Sequence, residues 1–260
     1  MIETRSHGDV SAGSSFVRET ISVLGVRIDK LTREQALLEI DGWKGDRPRM
    51  LAYVNAHTLN LAAGDPRLRG VLNRCDLVMN DGSGLSLAAR LHGERFPENL
   101  NGSDFTVCLL GLAASRGWGV FLLGGRPGVA ATAATRLTER IAGLRIAGTC
   151  HGFTGEREDL LANRVRESAA DLLIVALGNP LQELWLDRNL DATGAHVGVG
   201  VGAFLDFSAE AVRRAPRWMS LLGIEWCFRL IQEPLRLWRR YLVGNPLFLA
   251  RVLRERHTHG

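Results

Sequence analysis

The stretch Gly119-Val120-Phe121-Leu122-Leu123-Gly124-Gly125-Arg126-Pro127-Gly128 is the segment that indicates the fold most directly. A short apolar run bounded by glycine is typical of a buried parallel strand. The glycines after the run allow a tight turn, and proline is favoured in the first turn of a helix. The stretch therefore predicts a strand, a turn and a helix in direct succession.

The same succession recurs along most of the chain. Residues 21–28 alternate as a strand, and Thr32-x-x-Gln35 resembles a capping box that opens a helix ending near Trp43. Strand and helix alternation predicts an α/β, Rossmann-like, doubly wound and mostly parallel sheet with right-handed crossovers. The further apolar runs lie at 50–55, 77–79, 119–123, 145–149, 171–177 and 196–201, with helical stretches at 66–74, 83–92, 103–116, 127–142, 156–168 and 180–190.

Charge and periodicity both change near residue 210. From there to the end, ten arginines accompany four glutamates, so this segment carries +6 although the whole chain carries +4 at pH 7. Its pattern is helical only, with breaks expected at Pro216, Pro234 and Pro246. We predict a disordered tail (1–16), an α/β core (17–210) and a helical, Arg- and Trp-rich appendage (211–260).

Composition excludes several classes of protein. Hydrophobic residues make up 46% and charged residues 23% of the chain, as in ordinary globular proteins. The four cysteines form no CxxC pair and match no zinc spacing, which indicates a reduced compartment. No signal-peptide core opens the chain, and no apolar run approaches the roughly 20 residues of a membrane span. We therefore expect a cytoplasmic protein.

Chemistry-bearing residues follow four of the predicted strands, at Asn55, Asp81-Gly82, Gly124-Gly125 and 178–183. Ligands of such sheets bind beyond the carboxyl ends of the strands. A lone carboxylate on a glycine turn makes Asp81 a candidate general base. The helix starts suit a nucleotide diphosphate, and Gln182 and Glu183 are placed to bond a base or a sugar.

Metal and cofactor motifs are missing from the sequence. There is no Asp-x-Asp and no His/Asp/Glu cluster with ligand spacing, so we expect no metal and no cofactor, with arginines and helix N-termini meeting the charge of a diphosphate. The run 198–202 has the wrong glycine spacing for a dinucleotide fingerprint. His57 and His196 are interpreted as structural histidines.

The appendage combines arginine with tryptophan. Arg229, Arg236 and Arg239/Arg240 fall at spacings of seven and three or four, which places them on one helical face. Arginine beside tryptophan suits an anionic membrane surface, and it suits a diphosphate equally well. An ordinary amphipathic helical pair packed on the core is the alternative interpretation.

Together these motifs resemble the WecG/TagA/CpsF-type bacterial glycosyltransferases over about residues 24–242. The resemblance implies an inverting, metal-independent transfer of a sugar from a UDP-sugar to a polyprenyl-diphosphate-linked glycan, at the inner face of the cell membrane. It also rests on Asn101-Gly102-Ser103-Asp104, Gly148-x-x-His151-Gly152, Gly200-Val201-Gly202-x-Phe204-x-Asp206, Arg214-Ala215-Pro216, Glu225-Trp226 and Glu233-Pro234-x-Arg236.

Roles for individual residues follow from the resemblance. It implies that Asp81 is the base, that Gln182 lies in the active site, and that the appendage arginines meet the lipid-linked diphosphate. Tyr53 stands where teichoic-acid members have threonine, and Asn99 where many members have arginine, so the sugars stay open. Residues 54–60 are more similar to exopolysaccharide or enterobacterial-antigen members.

The predicted site therefore has three parts. Asp81 is the predicted catalytic residue. Substrate contacts are predicted at Tyr53, Asn55, Gly82, Asn101, Gly124, Gly125, Gly178, Pro180, Gln182, Glu183 and Asp206, and contacts to the acceptor diphosphate or membrane at Arg214, Arg217, Arg229, Arg236, Arg239 and Arg240.

Two other classes of function stay open. One is a nucleotide-cofactor oxidoreductase on a doubly wound fold, and the other is a non-catalytic peripheral membrane protein. Nucleic-acid binding is disfavoured, because the basic residues are confined to a Trp-rich segment without a reading motif. Self-association into a homo-oligomer is a further open possibility.

Overall fold

A central sheet of six parallel strands organises the molecule. A computed structural model describes residues 18–43, 47–153, 155, 157–212, 215–216, 218–219 and 224–259. The strands are β3 (Arg49–Val54), β4 (Leu77–Asn80), β5 (Gly119–Gly124), β6 (Arg145–Cys150), β7 (Leu172–Ala176) and β8 (Val197–Gly200). Their order across the sheet is β4-β3-β8-β7-β5-β6, and every neighbouring pair is parallel. This confirms the predicted α/β, Rossmann-like fold.

Helices cover both faces of the sheet. Successive side chains of a strand point to opposite faces, so Leu172 and Ile174 join one hydrophobic cluster while Leu173 and Val175 join the other. All four are fully buried, as their continuous apolar run predicts. The helices are α1 (Arg33–Asp41), α2 (Ala56–Gly64), α3 (Pro66–Arg74), α4 (Ser83–Leu91), α5 (Gly102–Ser115), α6 (Val129–Arg140), α7 (Glu158–Glu167), α8 (Leu181–Thr193) and α9 (Phe204–Ser208).

The strand predicted over residues 21–28 is in fact a hairpin of β1 (Thr20–Val23) and β2 (Val26–Asp29). Leu24 and Gly25 have φ of 51° and 73°, the geometry of a tight two-residue hairpin turn. The buried residues keep alternating on both sides of the turn, so the periodicity alone did not reveal the reversal.

Two helices, α2 and α9, were not predicted. Helix α2 starts directly after β3, and only Asp65 separates it from α3, so no loop-like stretch marks it in the sequence. The other six helices between 66 and 193 begin and end within three residues of their predicted bounds. Helix α2, which the sequence did not predict, is important because its first turn contains His57, a residue close to the predicted site.

The topology opens a crevice at the carboxyl edge of the sheet. Strand β5 connects to β6 on one side, whereas β7 connects to β8 on the other, so their exits diverge. The last strand, β8, lies between β7 and β3, and β3 pairs with β4 beyond it. Ligands of open α/β sheets bind at such divergence points. The exits of β3 and β4 lie at the same edge of the sheet, separated from that crevice by β8.

The C-terminal segment is helical, as predicted. From residue 224 to residue 259, which the structure describes, it contains α10 (Glu225–Gln232), α11 (Pro234–Trp238), a π-helical turn (Arg239–Val243) and α12 (Gly244–His259). Pro234 begins α11, which confirms that predicted break. Pro246 instead lies in the first turn of α12, immediately after the π-helical turn. A proline has no N–H to donate to the carbonyl four residues earlier, and a widened turn accommodates that loss.

Helix α12 packs into the same core as the sheet. Phe248 and Val252 are 1% and 0% exposed and belong to the cluster that α2 and α4 line. The Asn60 side chain donates to the Gly244 carbonyl at 2.7 Å, and Arg251 donates to the Asn60 carbonyl at 2.9 Å. The tail 1–16 lies outside the described residues, and the boundary at 210/211 stays a prediction. No helix in the described ranges is long and apolar enough to cross a bilayer.

Phe248→Ala tests this anchoring. Emptying a fully buried aromatic site costs about 3–5 kcal/mol, so the free energy of unfolding should fall by that amount. Urea denaturation followed by circular dichroism measures it. Leu247→Ala is the matched control, because its side chain is 43% exposed and the change should stay within about 0.5 kcal/mol. Equal losses in the two variants would contradict the packing.

Candidate active site

Asn55 and Asp81 lie side by side because β3 and β4 are parallel neighbours. Val54 pairs in register with Asn80, so the next residue of each strand sits at the same edge of the sheet. The Asn55 Nδ2 donates to the Asp81 Oδ2 at 3.3 Å. The two predicted site residues are therefore in direct contact.

The orientation of the Asn55 carboxamide is dictated by α2. Its Oδ1 accepts from the backbone N–H groups of His57 and Thr58, both at 3.1 Å, and so caps the helix. Since helix N–H groups require an acceptor, the oxygen must face α2. The amide nitrogen is then left to face Asp81.

The second oxygen of Asp81 points at the start of α5. Its Oδ1 accepts from the backbone N–H of Gly102, the first residue of that helix, at 3.3 Å. The Asn99 Oδ1 accepts from the Gly82 N–H at 3.0 Å, and the Asn101 side chain caps α5 by accepting from Ser103 at 3.0 Å. Gly82 and Asn101, both predicted contacts, thus form the loop framework around the carboxylate.

Opposing effects set the pKa of Asp81. Burial raises the pKa of this carboxyl above its usual range. The hydrogen bonds from Asn55 and Gly102 and the charges of Arg240 and Arg229 act in the other direction. A half-buried carboxylate with a raised pKa accepts a proton more readily than a fully solvated one, which is what a general base needs.

Two C-terminal arginines reach this site. Arg240 lies in the π-helical turn with its guanidinium 5.4 Å from the Tyr241 ring, and burial lowers its pKa. Arg229 of α10 stacks at 5.4 Å on Phe207, a residue of α9. Buried Tyr241 holds this arrangement on the protein. The C-terminal segment therefore brings positive charge to the carboxyl edge of the sheet.

Asp206 lies further along this basic surface. It is half-buried in α9, and burial raises its pKa, while Arg236, Arg126 and Arg229 lower it and Glu233 raises it further. Arg236 forms an ion pair with Glu233. Arg126 belongs to the turn after β5, and sequence reasoning passed over it because it is an unspecified position in the glycine motif.

Arg239, by contrast, faces outward. It is exposed, and its guanidinium lies 5.2 Å from the Trp238 ring. Arg239 therefore points away from Asp81, whereas the charges of Arg229 and Arg240 act on it, and the predicted role of Arg239 at the acceptor or the membrane stays a prediction. Arg214 and Arg217 lie outside the described residues.

His57, which sequence reasoning interpreted as a structural histidine, lies close enough to Arg240 for the charge of that arginine to affect it. It is half-buried on the first turn of α2, and burial together with Arg240 lowers its pKa to about 4. A neutral imidazole near an arginine can donate or accept a hydrogen bond. Its position two residues after a capping asparagine was the available signal.

The Gly124-Gly125 turn shapes the other side of the crevice. A Cβ at Gly124, whose φ is 133°, would lie 2.4 Å from the carbonyl oxygen of Ala176. The Gly125 N–H donates to that carbonyl at 3.2 Å, so it ties β5 to β7. Any diphosphate contact of this turn must therefore use amides further toward α6, which starts at Val129.

The segment after β7 is more buried than its motif suggested. Gly178 (φ 78°) turns the chain, Pro180 precedes α8, and Gln182 and Glu183 are 2% and 0% exposed. Gln182 bonds Glu183 and the Gly202 N–H, both inside the protein. These two side chains support the floor of the crevice.

Tyr53 also lies beneath the surface. It is 6% exposed, its hydroxyl is 3.1 Å from the Thr106 hydroxyl, and burial raises its pKa. A Cβ at Gly102 would meet the Tyr53 ring at 3.1 Å. Tyr53 thus supports the start of α5 from below, one layer under Asp81.

Metal-ligating side chains do not gather in the described ranges, where no three His, Cys, Asp or Glu residues could together hold an ion. Asp81 accepts hydrogen bonds from two amides, and the positive charges of Arg240 and Arg229 act on it from a greater distance. Such donors suit an anionic ligand.

Comparison with known proteins finds similarity to glycosyltransferases. A family model described as the "Glycosyl transferase WecG/TagA/CpsF family" matches residues 21–260. A Bacillus subtilis protein named N-acetylglucosaminyldiphosphoundecaprenol N-acetyl-beta-D-mannosaminyltransferase is 30% identical over 206 residues, which cover 79% of each chain. A Bacillus spizizenii protein of the same name is 31% identical over 194 residues, 75% of this chain and 74% of that one.

Asn55→Ala tests the link between capping and the carboxylate. Loss of the cap should lower the free energy of unfolding by about 1 kcal/mol. Loss of the Asn55 hydrogen bond should raise the pKa of Asp81 further, because that bond favours the ionised form. A carboxyl ¹³C NMR titration measures the shift.

Asp65→Ala is the control for this experiment. Asp65 caps α3 by accepting from the Arg67 N–H at 2.9 Å, and no contact to Asp81 accompanies that cap. The control should lose similar stability and leave the pKa of Asp81 in place. An unchanged pKa in Asn55→Ala would refute the proposed coupling.

Proposed function

Because the chain belongs to the WecG/TagA/CpsF family of glycosyltransferases, we propose that it moves a sugar from a UDP-sugar to a polyprenyl-diphosphate-linked glycan, with inversion and without a metal ion. The names of the two Bacillus relatives support a diphosphoundecaprenol acceptor and an N-acetylhexosamine as the transferred group. The observation that carries the proposal is the Asp81 carboxylate, held by Asn55 and Gly102 within reach of two arginine charges.

In this proposal Asp81 is the general base. As the acceptor hydroxyl attacks the anomeric carbon, its proton passes to Asp81, and the bond from that carbon to the UDP oxygen breaks. A single displacement from the face opposite the leaving group inverts the anomeric centre. The raised pKa of Asp81 favours uptake of the proton.

The leaving diphosphate requires positive charge or N–H donors. The amides at the starts of α6 and α8 lie at the crevice between β5 and β7, and Arg126 lies on the same turn. Donors fixed before the reaction stabilise developing charge without reorganising. We place the UDP group in this crevice on those grounds.

The acceptor diphosphate occupies the other side. The reacting hydroxyl belongs to a sugar attached to that diphosphate, so the anionic group must lie within about a sugar ring of Asp81. Arg240 and Arg229 act electrostatically on Asp81 and are positioned for this contact. Guanidinium groups bind phosphate oxygens in a bidentate manner.

The outer side of the C-terminal helices is proposed to face the membrane. Leu235 is 92% exposed and Ile231 78%, beside Trp238 and Arg239. Apolar side chains next to arginine suit the interface of an anionic bilayer. A lipid-linked acceptor would then reach Asp81 along the helices that lie on the inner face of the cell membrane.

Family membership weighs against the two other classes of function. An oxidoreductase needs a nucleotide-cofactor site, and the run at residues 198–202 lacks that spacing. A non-catalytic membrane protein has no use for a half-buried carboxylate with a raised pKa. We therefore carry only the glycosyltransferase proposal forward.

Asp81→Asn tests the assignment of the base. Transfer from UDP-N-acetylhexosamine donors to a short-chain lipid diphosphate should fall about 10²–10⁴-fold in EDTA-containing buffer, while UDP binding persists. Radiolabel transfer and calorimetry measure the two quantities. Asp187→Asn is the matched control. Asp187 accepts a hydrogen bond from Arg74 at the protein surface, so this variant should keep full activity. Full activity of the Asp81→Asn variant would show that Asp81 is not the general base.

Leu235→Ser tests the membrane-facing surface. Losing one inserted leucine should weaken binding to anionic phospholipid vesicles about tenfold or more. Co-sedimentation with vesicles measures the affinity. Leu160→Ser on α7 is the matched control, because Leu160 is also exposed (53%) but lies on a different helix. Equal binding by the two variants would exclude this face.

A further inference from the structure

Glu183 is a buried acid that the proposed mechanism does not use. It lies in the first turn of α8 and is 0% exposed, and its neighbour Gln182 is 2% exposed. A substrate in the crevice cannot touch a side chain that is fully covered by protein. Its role must therefore be exerted through the residues that it contacts.

Glu183 connects the exits of two strands through Gln182. Its Oε1 accepts from Gln182 Nε2 at 2.8 Å and also from the Asn179 side chain. With the Gln182 nitrogen held in this way, the Gln182 Oε1 accepts from the Gly202 N–H at 3.0 Å. The chain of bonds runs from the turn after β7 to the turn after β8.

The absence of a side chain at Gly200 keeps this arrangement in place. A Cβ there would lie 2.8 Å from Gln182 Nε2, so the carboxamide fills the space that a larger residue would take. The two bonds of the carboxamide thus leave it one orientation. Gln182 is wedged between the last strand and Glu183.

We infer that Glu183 is a positioning residue, whose carboxyl holds Gln182 on the Gly202 amide and so sets the distance between the β7 and β8 turns. The effect on the donor rests on the function proposed above, whereas the effect on Gly202 does not. This assignment replaces direct sugar or base contact as the role of Glu183.

The protonation state of Glu183 bears on how firmly the bridge is held. Burial raises its pKa to about 7, against the hydrogen bonds from Gln182 and Asn179. Its Oε2 is buried and has no hydrogen-bond partner among the described residues. Burial favours the neutral acid, because ionisation of a carboxyl away from water costs free energy.

The direction of the pH effect follows from that raised pKa. Its usual value is 4.5, so the stabilising contribution is complete below about pH 4.5 and is lost as the pH rises through about 7. Charged and titratable groups on and around α8 include Cys75, the pair Arg74–Asp187, the pair Glu158–Arg188, and Asp171 with His196 before β7 and β8.

Hydrogen exchange at the Gly202 amide, followed by NMR on the full chain, tests the inference. In the wild type its protection factor, corrected for intrinsic exchange, should fall at least about threefold between pH 6 and pH 8. Glu183→Gln mimics the neutral acid and should abolish that fall. Glu183→Leu removes the acceptor and should lower protection about tenfold at every pH.

The backbone amide of Val201, next to Gly202, is an internal control for this experiment. Val201 donates to the Val175 carbonyl at 2.8 Å within the sheet and should keep its protection in both variants. If Glu183→Leu does not fold, Asn179→Ala removes one donor to the same carboxyl and should lower Gly202 protection by a smaller factor. An unchanged pH response in Glu183→Gln, or an unchanged Gly202 in the other folded variant, overturns the inference.

Calorimetry with UDP separates this inference from the proposed function. If both hold, the affinity of the wild type for UDP, divided by that of Glu183→Gln at the same pH, should fall as the pH rises from 6 to 8, because the ionisation of UDP itself cancels in this ratio. A wild type that never binds UDP would defeat the proposed donor site. The Gly202 measurement would still decide the role of Glu183.

Discussion

The carboxamide of Asn55 hydrogen-bonds both the start of α2 and the carboxylate of Asp81, and the geometry of the site depends on these two contacts. Its oxygen is held by the N–H groups that start α2, so its nitrogen can only face Asp81. The contact requires β3 and β4 to be parallel neighbours in one register, which their fully buried apolar side chains specify. An aspartate at position 55 would cap the helix equally well, but it would repel Asp81.

Packing far from the carboxylate controls the charge around it. Phe248 and Val252 bury α12 against α2 and α4, and α12 continues directly from the turn that carries Arg240. Burial raises the pKa of Asp81 and lowers that of Arg240, whereas the charge of each group favours the charged form of the other. A core contact in the last helix is therefore linked to the chemistry of the proposed base.

The sequence predicted the strand exits well, because buried strands, glycine turns and helix starts are local patterns. It did not predict which side chains those exits expose. Gln182 and Glu183 form part of a strand-exit motif, yet neighbouring elements cover them completely. The partner of Tyr53 is Thr106, more than fifty positions away, and no local periodicity encodes that contact. Arg126 and His57 gained their significance only from the arginines that fold back toward them.

The two halves of the site differ in how they are held together. On one side, Asp81 takes its hydrogen bonds from Asn55 and Gly102, which belong to the exits of the adjacent strand and to α5. On the other side, the bond from Gln182 to Gly202 joins the turns after β7 and β8. The C-terminal segment touches both, since Arg240 acts on Asp81 while Arg229 stacks on Phe207 just after β8. A transferred sugar must lie between a base and a leaving group, and this segment is the element that relates their positions.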